Sequence, residues 1–204
     1  GGLIHPQLVY TFWFSERPRS PGNTLDLLAG RLDGVVWRVT VDARGDPLVY
    51  DSIHACGCYH LFFPTEKVVA RELPVTLDES LFVPQSVPAA RSGERVVLRV
   101  ESGTHYLQRV LVTSEAQSAT AVVYRLEDER TLTTLARRGG GTRSAYGQDG
   151  FIAGSERAER WFYWPMGIES AGQMRQWGHH ATAFVGRRHF DDPQLFDAYF
   201  EVRR

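Results

Sequence analysis

Four side chains with metal-binding chemistry occur at alternate positions in one short segment. They are His54, Cys56, Cys58 and His60, and the segment holds both cysteines of the chain. Thiolate and imidazole groups are the ligands that zinc, copper and iron prefer, and two of each is a common donor set for a tetrahedral site. We therefore predict a transition-metal site that uses this His-x-Cys-x-Cys-x-His pattern. Redox, catalytic and structural roles are all open.

Strand geometry limits how many of these four groups bind one ion. In a β-strand, alternate side chains point to the same face, so the four donors share one face if the segment is a strand. Residues two apart on a flat strand lie about 6.6 Å apart, which is too far for all four to reach one ion. We expect two or three ligands from this segment, with a bend at Gly57, and completion of the site by His105 or His180.

Cysteine chemistry without a metal is an alternative. Cys56 or Cys58 could act as a nucleophile activated by a neighbouring histidine, which would make the protein a cysteine-dependent enzyme. A disulfide between the two would close a small, strained ring, and such bonds are labile or regulatory. Free cysteines are also often simply buried, and histidines often only satisfy hydrogen bonds.

A non-catalytic subunit or interaction domain is a second alternative, from a different class of function. Aromatic residues are frequent near the C-terminus, and Trp161, Trp164 and Trp177 are the candidates for an aromatic interface with a protein partner. The competing structural interpretation of the run from residue 160 to 166 is a buried strand that ends at Pro165.

Composition limits the classes of protein to which the chain belongs. Its 204 residues are 43% hydrophobic and 12% aromatic, which is enough for a single domain over residues 1–204 with a substantial core. The formal net charge of −1, from 23 basic and 24 acidic residues, gives no electrostatic footprint for nucleic acid. Since no apolar run approaches about 18 residues, we predict a soluble protein without a transmembrane segment.

Short alternating runs separated by turn residues predict a mainly β fold, either an antiparallel β-sandwich or an open barrel with long loops. The clearest elements are two hairpins, one around the turn at 42–47 and one formed by residues 96–112. Residues 121–126 are a further strand candidate. Residues 64–95 are expected to form long loops with one short edge strand.

The last third of the chain contains a glycine-rich segment and a helix signal. Gly139 to Gly141 predict a flexible, solvated loop near residues 137–150. Asp192 and Pro193 are typical of a helix N-terminus, and the apolar residues at 195, 196, 199 and 200 share one helical face. We therefore predict a short C-terminal helix that docks on the sheet.

Overall fold

A computed structural model describes residues 3–54, 59–72, 81–114, 122–157, 161, 177 and 194–203. The largest sheet is antiparallel, with the order β1 (Gln7–Arg17), β2 (Gly30–Val41), β3 (Pro47–His54) and β4 (Leu61–Pro64). Three two-stranded sheets pair β5 (Val68–Ala70) with β10 (Phe200–Val202), β6 (Arg95–Val100) with β7 (Leu107–Thr113), and β8 (Leu135–Ala136) with β9 (Thr142–Arg143). A 3-10 turn spans Glu129–Thr133, and helix α1 spans Leu195–Tyr199.

The predicted fold class is confirmed. Within the part of the chain that the structure describes, antiparallel strands dominate, the sheets do not close on themselves, and a short α-helix lies near the C-terminus. Both predicted hairpins form, as β2–β3 and β6–β7. In the described part of the chain, no helix is long and apolar enough to cross a membrane.

The β2–β3 turn is built by Asp42 and Gly45. The Asp42 carboxylate accepts hydrogen bonds from the backbone N–H groups of Arg44, at 2.8 Å, and Asp46, at 3.0 Å. Gly45 has a φ of 85°, a left-handed conformation that glycine adopts without steric cost. This local chemistry explains why the turn could be predicted from the sequence.

The central strands of the large sheet are buried on both faces. One face packs against the β6–β7 hairpin in a cluster formed by Trp37, Val39, Val41, Tyr50, Leu61, Phe63, Val87, Leu107 and Val110. The other face packs against β5, α1 and β10 in a cluster formed by Leu48, Val49, Phe62, Val68, Leu195, Tyr199 and Phe200. The predicted docking of the C-terminal helix on the sheet is thus confirmed.

A continuous strand through the His/Cys segment is not observed. Strand β3 ends at His54, β4 begins at Leu61, and the two pair antiparallel with Ser52 opposite Leu61. The chain therefore reverses between these strands. The reversal buries Phe62 and Phe63 on opposite faces of the sheet.

Two further expectations need correction, and others fall outside the described residues. Residues 122–126 form no strand, and Val122 and Val123 are 86% and 92% exposed. Strand propensity stabilises a strand only against a pairing partner, and no described residue pairs with this segment. Phe200 belongs to β10 rather than to the helical face. The predicted helix start at Asp192 and most of the predicted strand at 160–166 lie outside the described residues.

The glycine triplet lies in the turn of the β8–β9 hairpin. Residues 137–143 are all exposed, which agrees with a solvated segment. The N–H of Arg137 donates to the carbonyl of Gly141, and the N–H of Gly140 donates to the carbonyl of Arg137. These two bonds define the turn.

Candidate functional site

The structure describes three of the six predicted metal ligands, and all three are buried histidines. His54 and His60 are each 2% exposed, and His105 is 8% exposed. Cys56, Cys58 and His180 lie outside the described residues. His54 is the last residue of β3, His60 directly precedes β4, and His105 lies in the turn between β6 and β7.

His54 and His60 lie on opposite sides of the sheet. The imidazole Nε2 of His60 lies 3.1 Å from Oδ2 of Asp51, so His60 is on the Asp51 side. Asp51 and His54 are three residues apart on β3, and an odd separation puts two side chains on opposite faces. The sequence-based expectation of one shared face is therefore wrong for this pair, because the chain reverses between them.

His54 is a buried imidazole whose ring nitrogens form no hydrogen bond of ordinary geometry with the described residues, although the backbone of His105 lies close enough to act on the ring. Its ring packs edge-on against the ring of Tyr59, with 5.1 Å between centroids. Burial lowers the pKa of His54 to about 4, the Asp33 carboxylate partly opposes this shift, and Arg17 reinforces it. At neutral pH the ring is therefore uncharged, which is the form that binds metals.

His105 is held by a buried carboxylate. Its Nδ1 lies 2.6 Å from Oδ2 of Asp33, and Asp33 is 3% exposed. The ring also stacks on Phe14, with 3.9 Å between centroids and 4° between planes. A carboxylate oxygen accepts hydrogen bonds, so this contact suits the form of His105 that carries a proton on Nδ1.

Arg157 completes this arrangement from a distant part of the chain. Its Nη1 donates to the carbonyl of Leu28 at 2.7 Å and lies 3.3 Å from Oδ1 of Asp33. Its Nη2 donates to the carbonyl of Leu32 at 2.8 Å. The residues Asp33, His54, Tyr59, His105 and Arg157 are called the His54–His105 cluster below.

Backbone strain is concentrated around this cluster. Leu32, Tyr59 and His105 are the three non-glycine residues of the described chain with left-handed φ values, at 58°, 56° and 57°. Each costs roughly 1–2 kcal/mol relative to an ordinary conformation. Leu32 precedes Asp33 and binds Arg157 through its carbonyl, while the other two belong to the cluster. Strained residues of this kind collect at functional sites.

A second Arg–Asp–His arrangement lies on the opposite face of the sheet. Arg38 binds Asp51 through Nε, at 3.1 Å to each carboxylate oxygen, and through Nη2, at 2.8 Å to Oδ2. Burial raises the pKa of Asp51, but the nearby Arg38 and the hydrogen bond from His60 outweigh it, so the net pKa is lowered. Asp51 therefore stays ionised inside the sheet.

The His54–His105 cluster offers donors for a metal ion but does not complete a site by itself. In the described ranges, no three His, Cys, Asp or Glu side chains lie close enough together to hold an ion. The two cysteines lie two and four residues after His54 in the sequence, at positions 56 and 58. The metal assignment thus stays a prediction that depends on these cysteines.

Sequence reasoning did not single out Asp33 or Arg157. Asp33 carried a usable signal, because it is a charged residue that directly precedes the apolar strand sequence Gly34 to Val36. The sequence around Arg157 carried no such signal. Arg157 contacts Asp33 only in the tertiary structure, because the two residues are 124 positions apart in the sequence.

The predicted aromatic interface is described only in part. Trp161 is 74% exposed and Trp177 is 40% exposed, and the ring of Trp177 lies 5.3 Å from that of Tyr146. Trp164 lies outside the described residues. A partner at this surface stays a prediction.

Comparisons with known proteins identify no relative. No protein-family model, no curated protein and no solved structure matches the chain. The functional argument therefore depends on the chemistry of the cluster alone.

Proposed function

We propose that the protein binds a transition-metal ion at the end of the large sheet, with His54 and His105 as imidazole ligands and Cys56 and Cys58 as thiolate ligands. The observation that carries the proposal is His54, a neutral and buried imidazole whose ring nitrogens form no hydrogen bond of ordinary geometry with the described residues. An unsatisfied buried polar group is costly, and coordination to a metal removes that cost.

The electrostatic neighbours of His54 support the choice of His105 as the second imidazole. His105 is among the residues that affect the pKa of the His54 ring, so the two residues are close in the fold. His60 lies on the opposite face of the sheet, where its Nε2 contacts Oδ2 of Asp51 at 3.1 Å. We therefore assign His60 to the Arg38–Asp51 network rather than to the ion.

The donor set favours zinc over copper or iron. Two thiolates and two imidazoles in a tetrahedral arrangement are typical of zinc. A four-ligand site is closed to substrate and is structural, whereas a redox role needs a copper or iron centre. Metal analysis of the purified protein distinguishes these roles.

The cysteine-dependent alternative is weaker on electrostatic grounds. A histidine activates a cysteine as an imidazolium or as a general base, and His54 is uncharged at pH 7. A base with a pKa of about 4 is also far below the operating pH of most general bases.

The first test is elemental analysis of protein purified without chelator, together with Co²⁺ titration of the metal-free form. We expect about one equivalent of metal and a tetrahedral thiolate spectrum with Co²⁺. His54→Ala and Cys58→Ser should each weaken affinity by more than about 100-fold, since loss of an outer-shell partner alone costs 10–100-fold. His60→Gln is the matched control, because it changes a buried histidine on the other face.

Each alternative predicts a different result in the same experiment. Metal that is lost in His60→Gln but kept in His54→Ala would refute the assignment. Absence of metal together with a reactive thiol would support cysteine chemistry. Absence of metal with unreactive thiols would support the interaction domain, for which the exposed Val122, Val123, Tyr124 and Leu126 are the favourable observation.

A further inference from the structure

A buried carboxylate lies between an arginine and a histidine inside the His54–His105 cluster. Oδ1 of Asp33 faces Nη1 of Arg157 at 3.3 Å, and Oδ2 faces Nδ1 of His105 at 2.6 Å. Histidines that bind metals usually donate their second ring nitrogen to a carboxylate or a carbonyl. Such a partner fixes both the tautomer and the orientation of the ring.

We propose that Asp33 is a positioning residue of the metal site, which holds His105 in the tautomer with the proton on Nδ1 and the lone pair on Nε2. Arg157 holds the Asp33 carboxylate in place through the contact from Nη1 to Oδ1. This inference rests on the proposed metal site, because a positioning role has a meaning only if His105 binds the ion.

Two contacts fix the orientation of the His105 ring, although the residue lies in a turn. The stacked ring of Phe14 prevents the imidazole from tilting, and the carboxylate prevents it from flipping. The backbone of His105 itself is left-handed, with a φ of 57°. Preorganised ligands of this kind lose little conformational entropy when the ion binds.

Arg157 is fixed as firmly as the histidine. Its guanidinium is almost fully buried and donates to the carbonyls of Leu28 and Leu32, on either side of the start of β2. These bonds hold the guanidinium in one plane, so its position next to Asp33 does not depend on Asp33 alone.

The second Arg–Asp–His arrangement provides a matched control within the same protein. Asp33 and Asp51 are 3% and 2% exposed, and each joins an arginine to a histidine. The two carboxylates differ in their position relative to His54, because Asp33 acts on the His54 ring and Asp51 lies on the opposite face of the sheet. They also differ in the ring nitrogen they bind, which is Nδ1 in His105 and Nε2 in His60.

The test compares Asp33→Asn with Asp51→Asn in Co²⁺ and Zn²⁺ competition titrations, on samples whose folding is checked by circular dichroism. We expect Asp33→Asn to weaken metal affinity about 10- to 100-fold, as loss of an outer-shell carboxylate does. Asp51→Asn should change affinity less than about threefold while lowering stability. Equal metal affinity in Asp33→Asn and wild type, or a larger loss in Asp51→Asn, would overturn the inference.

A second measurement needs no variant and holds if Asp33→Asn fails to fold. Imidazole ¹⁵N spectra of the metal-free wild-type protein report the tautomer of each neutral histidine. We expect His105 to carry its proton on Nδ1, and a proton on Nε2 would contradict the inference. A wild-type protein that binds no metal would refute the proposed function, whereas metal binding that is unchanged in Asp33→Asn would refute the positioning role alone.

Discussion

The protonation state of His54 follows from its burial at the end of β3. An imidazole in an apolar environment is more stable uncharged, because burial penalises the charged form. The nearby Asp33 carboxylate opposes this effect and the charge of Arg17 adds to it, with a net pKa of about 4. The same residue that could bind a metal is thus an acid-sensitive point of the metal-free fold.

Acid should destabilise the metal-free protein through His54. The unfolded chain takes up a proton near its ordinary pKa of 6.5, whereas the folded protein does so only near 4. Stability is therefore full above pH 6.5 and falls as the pH drops towards 4, by about 3 kcal/mol in total at about 1.4 kcal/mol per pH unit.

Urea unfolding of the metal-free protein at several pH values measures this effect. His54→Leu should remove most of the loss between pH 6.5 and 4, since leucine does not titrate. Both proteins are measured under the same conditions, so the difference between their pH profiles reports the contribution of His54. An identical pH dependence in wild type and His54→Leu would exclude His54 as the cause.

Turn residues determine where the chain reverses direction in a β-hairpin. Gly45 and Gly139 both lie in exposed hairpin turns, and a Cβ atom added at either would meet nothing within 4 Å. They differ in backbone conformation, since Gly45 has a φ of 85° and Gly139 is not among the glycines with positive φ. Comparing substitutions at these two glycines therefore distinguishes the effect of backbone strain from the effect of steric contact.

Gly45→Ala should lower the free energy of unfolding by about 1–2 kcal/mol, because alanine is strained in the left-handed conformation. Gly139→Ala should be neutral or stabilise by about 0.5 kcal/mol, through the entropy of the unfolded chain. Urea unfolding curves measure both. A loss in Gly139→Ala as large as that in Gly45→Ala would show that φ is not the cause.

Across the whole molecule, the C-terminal strand β10 pairs with β5 and closes the core below the large sheet. Phe200 is 1% exposed, and its ring lies 5.7 Å from that of Phe62 in β4. Val202, two residues later in the same strand, is 36% exposed. Strands β3 to β5 and the C-terminal end of the chain thus contribute to one hydrophobic cluster.

Phe200→Ala should lower the free energy of unfolding by about 3–5 kcal/mol, because it leaves a cavity in the packed core. Val202→Ala changes the same strand at an exposed position and should cost less than about 0.5 kcal/mol. Thermal unfolding of the two variants gives the comparison. Similar losses in both would mean that β10 contributes by strand pairing rather than by burial.

The sequence by itself determined the features that depend on local chemistry. Alternation of apolar residues indicated β2, β3, β6 and β7, and Asp42 with Gly45 indicated the turn between the first two. The concentration of His and Cys donors at 54–60 was visible for the same reason, since residue types and spacing are read directly. Each of these features involves residues that are close together in the sequence.

Only the tertiary structure decided which of these donors share a face. The chain reversal before β4 separates His54 from His60, because burial of Phe62 and Phe63 requires a second strand beside β3. Asp33 meets His105 and Arg157 over separations of 72 and 124 residues. Such long-range contacts depend on how whole hydrophobic faces pack together. The periodicity of one segment carries no information about the packing of another.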